Sequence, residues 1–247
     1  MHSLVHALTG LLNQLFGASI TALLNKLNIY PVHPAAPIGD ALTLELVVAL
    51  LLVLFFIVVR ASLSVEKPGS MQHLAEMVYD FVDGQAQSVM GHDGYQSHLP
   101  FVTTILLFVL ICNVIGLLPG VETPTASPIV PLGIAIVTFI YYNYHGVRTQ
   151  GPIGYLKHFM GPIWWIAPLM FPIEIISNLA RVMSLTVRLY ANMFASDLLT
   201  LVFFSLIPIA VPVIFLGLHL GVAVIQAYVF MLLAMIYLGE ATAQEGH

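Results

Sequence analysis

The stretch "SLTVRLYANMFASDLLTLVFFSL", residues 184–206, is apolar enough for the middle of a lipid bilayer, yet it contains Arg188. A guanidinium keeps its charge in proteins, and a charge removed from water is unstable without a partner. None of the next few residues offers an obvious counter-ion. The rest of the chain sets the solvent. Of its 247 residues 59% are hydrophobic and only 8% charged, and the mean hydropathy is +0.96. Soluble domains carry roughly 25% charged residues, so this chain lacks the polar surface that water demands. The net charge of −5 is spread along the sequence, which argues against a nucleic-acid-binding surface. Cys112 stands alone in an apolar run and excludes a disulfide framework or a thiolate metal site.

Working outward, the hydropathy pattern predicts an all-α polytopic membrane protein with about five membrane helices. The expected spans are 41–63, 100–119, 126–146, 166–206 and 213–239, all in one membrane domain covering 41–247. Residues 1–40 read as an external segment. Its leucines at helical spacing over 4–27 predict a helix lying on the membrane surface, and "YPVHPAAPIGD" (30–40) breaks it. The first cation is Lys26, unlike a targeting peptide. A second interfacial helix is expected at 70–90, with Leu74, Val78 and Phe81 on one side and Glu76, Asp80 and Asp83 on the other.

"LLPGVETPTASP" reads as a hairpin turn, Trp164 and Trp165 as an interface marker, and Pro208 and Pro212 as the break before the last helix. Arg60, Lys67, Arg148 and Lys157 fall on one side of such a topology, which places them and the C-terminus in the cytoplasm and the N-terminus outside. The absence of a transit peptide favours a bacterial inner (plasma) membrane.

The fourth and fifth membrane helices carry polar stripes. Turning about 100° per residue from Arg188 puts Glu174, Ser177, Arg181, Ser184, Asn192 and Ala195 within about 40° of it, and Asp197 on the opposite face. From Gln226 the same rule places His219, Phe230, Tyr237 and Glu240 within about 40°. Such stripes face protein, water or an ion path rather than lipid. Glu174 is ~21 Å along the helix from Arg188, too far to pair with it, and Arg181 is the better partner for Glu174. "GLHLG" (217–221) adds a small-residue pair that would let another backbone approach beside His219.

A fixed cation suits a mobile acid. A carboxylate from a neighbouring subunit within ~4 Å would be favoured by about 4 kcal/mol at an effective dielectric near 20, or roughly 3 pKa units. It would release its proton at the arginine and regain one on an apolar surface. Glu174, Asp197, His219, Gln226 and Glu240 would then line aqueous approaches from the two sides.

At these residues the sequence resembles subunit a of the F-type ATP synthase membrane sector. The likeness covers about residues 40–240. It rests on "NVIGLLPG" (113–120), "TPTASP" (123–128), "PIEIISNLARVMSLTVRLYANMFASDLL" (172–199) and "IQAYVFMLLAMIYL" (225–238). The resemblance implies that Arg188 is the essential gate facing the rotor carboxylates, that Asn192 and Gln226 are its polar neighbours, and that Glu174, Asp197 and His219 belong to two proton half-channels. Asp197 stands where the family often has Glu, a methylene shorter in reach. The implied partners are the c-ring, subunit b of the peripheral stalk and the whole complex with its catalytic head. No catalytic chemistry, metal or organic cofactor of the chain's own is implied, and none of the HExxH, P-loop or GxGxxG motifs is present.

Two other readings compete. A secondary transporter with an intramembrane Arg/His site would carry inverted repeats and a broken helix in each half, and neither is evident. An intramembrane enzyme could use the ten histidines for a metal, but only His2 and His6 share i, i+4 spacing and no GxSxG motif accompanies them.

Overall fold

The computed structural model describes residues 2–26, 36–64, 68–91, 94–118, 121–151, 154–155, 165, 167–206 and 210–242. The expected features at Lys67, Lys157, Trp164 and Pro208, and most of the 30–40 break, lie outside the described residues. Among those described there is no strand. The helices are α1 (His2–Lys26), α2 (Asp40–Ala61), α3 (Ser70–Met90), α4 (Leu99–Ile115), α5 (Ile129–Gln150), α6 (Ala167–Leu206) and α7 (Ala210–Thr242).

Local chemistry sets the ends. Asp40 in the first turn and Arg60 in the last turn of α2 complement its dipole. Pro100 sits in the first turn of α4, where a missing N–H does no harm. Gly91, at φ +87°, ends α3 in a conformation that a side chain would resist. Pro212 acts less strongly than expected, and Pro172 does not interrupt its helix. α6 starts at Ala167 and runs on through Pro172, and Pro212 falls in the first turn of α7, a tolerated position.

α7 is the centre of the fold and packs against α4, α6, α5 and α3. Its Ala227, Phe230, Met231, Ala234 and Met235 meet Leu185, Leu189 and Met193 of α6, Val102 and Val109 of α4, and Val130 and Ile134 of α5 in one apolar core. α3 turns Val82 and Ala86 into that core, whereas Leu74 and Phe81 of its expected apolar side remain exposed. An interfacial helix that touches protein on one side and lipid on another needs both apolar surfaces.

Five helices are long and apolar enough to cross a membrane, and they are not quite the five expected. α1 qualifies by length and composition. α5 does not, because "YYNYH" (141–145) lowers its hydropathy, although at 22 residues it is ~33 Å long. Its polar end is packed inward: Tyr142 is buried, and Tyr141 lies against the rings of Phe101, His98 and His145.

Candidate functional site

α6 and α7 are antiparallel and indexed on one another by three polar pairs. At one end the Arg181 guanidinium lies 2.7 Å from Glu240 Oε2 and over the Tyr237 ring at 4.9 Å. In the middle, Asn192 Nδ2 donates to Gln226 Oε1 at 2.9 Å. At the other end Asp197 Oδ1 is 3.3 Å from His219 Nδ1. Numbers rise along α6 as they fall along α7, so the two expected stripes meet as a ladder.

Arg188 lies between the ends of this ladder. It is exposed, and among the described residues it makes no hydrogen bond or ion pair. The residues on its helix face, Ser177, Ser184, Ala191, Asn192 and Ala195, are exposed as well. Small and polar side chains therefore leave an open track along α6 with the cation near its middle. Gln226, just behind Asn192, is 4% exposed, and its Nε2 has no partner among the described residues.

Two polar clusters flank the arginine. Toward the start of α6, Tyr142 of α5 donates to Asn178 Oδ1 at 2.9 Å, and Asn178 Nδ2 lies 3.3 Å from Glu174 Oε1. Tyr155 donates to Asn143 Oδ1 in the same region at 2.8 Å. Burial pushes the Tyr155 hydroxyl above its ordinary range. Toward the other end, ~13 Å along α6 from Arg188, lies the Asp197 and His219 pair. Thr123 donates to Asp197 Oδ1 at 2.9 Å, and His219 Nε2 faces the Asn113 carbonyl at 3.2 Å. Asn113 in turn accepts from Thr125 at 2.6 Å and donates to the Ala223 carbonyl at 3.3 Å.

Every expected site residue thus falls in or beside the ladder, with Asp197 on the face expected for it, but two details differ from the sequence reading. Arg181 pairs with Glu240 on the neighbouring helix and not with Glu174, because the inter-helix partner comes within direct contact while Glu174 is two turns away. Asp197, on the face opposite Arg188, points inward to α7 and to the loop after α4. Gly217 and Gly221 are exposed with open space around them, on the far side of α7 from His219, so no backbone among the described residues approaches there. Asn113, Thr123 and Thr125 were missed as site residues. The signal was present, since an uncompensated Asn closes the apolar run of α4 and two threonines follow in the turn. Among the described residues no three His, Cys, Asp or Glu side chains gather as a metal would require.

The fold and this ladder define a polytopic membrane protein with an intramembrane polar site built on its two longest helices. Residues 42–239 match the family model described as ATP synthase A chain. The chain is similar to ATP synthase subunit a of Koribacter versatilis, 53% identical over 97% of both chains. It is 46% identical to that of Solibacter usitatus over 85% of this chain and 90% of the relative, and 44% identical to that of Campylobacter jejuni over 73% and 80%. The chain belongs to the ATP synthase A chain family.

Proposed function

We propose that the open face of α6 is where this chain meets a ring of rotor carboxylates, the c-ring, with Arg188 as the fixed cation that each passing acid encounters. The chain is a proton-translocating stator subunit in the membrane sector of ATP synthase, and the transporter alternative is not favoured. The observation that carries the residue-level reading is the bare guanidinium of Arg188, set between polar clusters at opposite ends of one helix pair. A cation of this kind inside a membrane costs roughly 2.5–3.5 kcal/mol on insertion scales. A carboxylate delivered to within ~4 Å would offset that by about 4 kcal/mol.

In this reading Asp197 and His219, with Asn192 and Gln226 beyond them, serve one aqueous half-channel. Glu174 serves the other, with Glu240 at its mouth held by Arg181. A proton enters from one side, joins a rotor carboxylate, travels with the ring and leaves on the other side when the acid reaches Arg188. Transit down a gradient supplies ~2.3 kcal/mol per charge per 100 mV. Phosphoryl chemistry belongs to the catalytic head, and subunit b of the peripheral stalk holds the stator fixed.

The membrane is a bacterial inner membrane, with the N-terminus outside and the C-terminus in the cytoplasm. α1 fits a surface position, because its middle meets the start of α2. Asn13 exchanges hydrogen bonds with the Ile38 backbone, and Thr9 donates to Asp40 at 2.7 Å. A helix crossing beside α2 would instead run along its length. α5, with its polar end packed inward, completes the five spans of a single membrane domain.

The test is ATP-driven acidification of inverted membrane vesicles carrying Arg188→Ala, with the passive proton leak measured after the catalytic head is stripped. Pumping is expected to vanish from an assembled complex. Normal pumping with a normal leak would make Arg188 structural and remove this reading.

A further inference from the structure

We infer that Thr123 is a positioning residue for proton exchange at Asp197, acting through the carboxylate oxygen that His219 also faces. The inference rests on the reading of Asp197 and His219 as proton-path groups.

The Asn113 carbonyl can only accept, so His219 Nε2 carries a hydrogen. His219 Nδ1 and Asp197 Oδ1 then face one another at 3.3 Å. Two bare acceptors at that separation repel, so the pair holds one shared proton. It sits either on Nδ1, giving imidazolium and carboxylate, or on Oδ1, giving imidazole and carboxylic acid. Thr123 favours the first. Its hydroxyl, 2.9 Å from the same Oδ1, stabilises the carboxylate more than the acid. The hydroxyl therefore weights the pair toward a proton on Nδ1, the state in which Oδ2 is an anionic acceptor. One proton from water adds to Oδ2 and makes the acid, and the same proton leaves from Oδ2 to the next acceptor and restores the carboxylate. The ring keeps its own proton throughout. Because a peptide carbonyl caps Nε2, the imidazole has no second exit, and it acts as a counter-charge rather than as a wire.

The threonine is held for this task. It is 2% exposed, and it sits against Gly116, where a β-carbon would run into its hydroxyl and its Cβ. Thr125, in the 3-10 turn Pro124–Ala126 that follows, latches the loop to Asn113 on α4, and Asn113 is latched to α7 through the Ala223 carbonyl. The other charged groups about Asp197 are His219 from α7 and the exposed Glu122 from the loop.

The experiment is the pH profile of ATP-driven acidification by vesicles of the complete complex. The variants are Thr123→Val, Thr123→Ser, Gly116→Ala and Asp197→Asn, each matched for assembled complex. Thr123→Val removes the donor at nearly constant shape, so the carboxyl holds its proton more tightly and the profile moves to higher pH by about one unit. Thr123→Ser keeps the wild-type profile. Gly116→Ala keeps every polar group but displaces the hydroxyl, and it moves the profile in the same direction as Thr123→Val. It also supplies the answer if the valine variant does not assemble. A wild-type profile in Thr123→Val or in Gly116→Ala, while Asp197→Asn loses pumping, overturns the role of Thr123 alone. Equal loss of amplitude in the Val and Ser variants without a shift reduces Thr123 to packing, and also overturns it. Normal pumping by Asp197→Asn removes the underlying proton-path reading.

Discussion

Arg188 is the one residue whose chemistry no common substitute reproduces. Lysine keeps a positive charge, but its ammonium can lose a proton when desolvated, whereas a guanidinium cannot. In the track along α6 a lysine could pass a proton directly between the two polar clusters and so bypass the ring. Arg188→Lys is therefore expected to assemble normally, since the side chain has no partner among the described residues to lose. Its ATP-driven pumping is expected to fall to background, read by acidification of inverted vesicles. Retained coupling would count against the role of the fixed charge. Arg188 was legible in the sequence because an unpaired cation in an apolar run violates the composition of its surroundings. Thr123 was not, because a threonine in a Pro-rich turn violates nothing, and its role depends on a partner 74 positions away in the chain.

At the scale of elements, α6 and α7 were visible as two striped helices, and the angular positions of Arg181, Asn192, His219, Gln226 and Glu240 followed from helical geometry alone. What that geometry does not give is the register of one helix against the other. Arg181 could have turned to Glu174, and only the contact with α7 assigns it to Glu240. This pair closes one end of the ladder, and both side chains are partly open, with 26% and 52% exposure, so its coupling is modest. A double-mutant cycle of Arg181→Gln and Glu240→Gln, read as thermal unfolding of the purified complex, is expected to give about 1 kcal/mol of coupling. Additive losses would mean that the two side chains do not act as a pair. The apolar packing around them resists the change, because Leu238 and Met235 of α7 are almost wholly buried.

For the whole molecule, the open side of α6 sets where a partner can lie. The native Cys112 is buried, so a cysteine introduced at Ala191 or Ala195 would be the reactive one. Cross-links from these positions to the rotor subunit are expected in the intact complex, and none from Leu50→Cys, which is exposed on α2 at 58%. Cross-linking from α2 with none from α6 would put the ring on another face. The all-helical class and the ends of most helices were readable from hydropathy. The roles of α1 and α5 were less so, because composition measures how greasy a segment is, not what it packs against. α1 is apolar yet mostly exposed, and α5 turns Tyr141, Tyr142 and His145 against α4, α6 and α7 while Tyr144 stays exposed.

The indexing of α6 on α7 at three points also limits how such a chain can change by descent. One polar group in the ladder can be exchanged for another, as Asp for Glu, with the geometry nearly kept. An inserted residue between Asn192 and Asp197 cannot be absorbed in the same way. It would turn everything beyond it by about 100° and carry Asp197 off His219, while Arg188 stayed in place. Length is thereby frozen between Arg181 and Asp197 and between His219 and Glu240. Lineages remain free to lengthen, shorten or replace what precedes α2, and the family model begins only at residue 42.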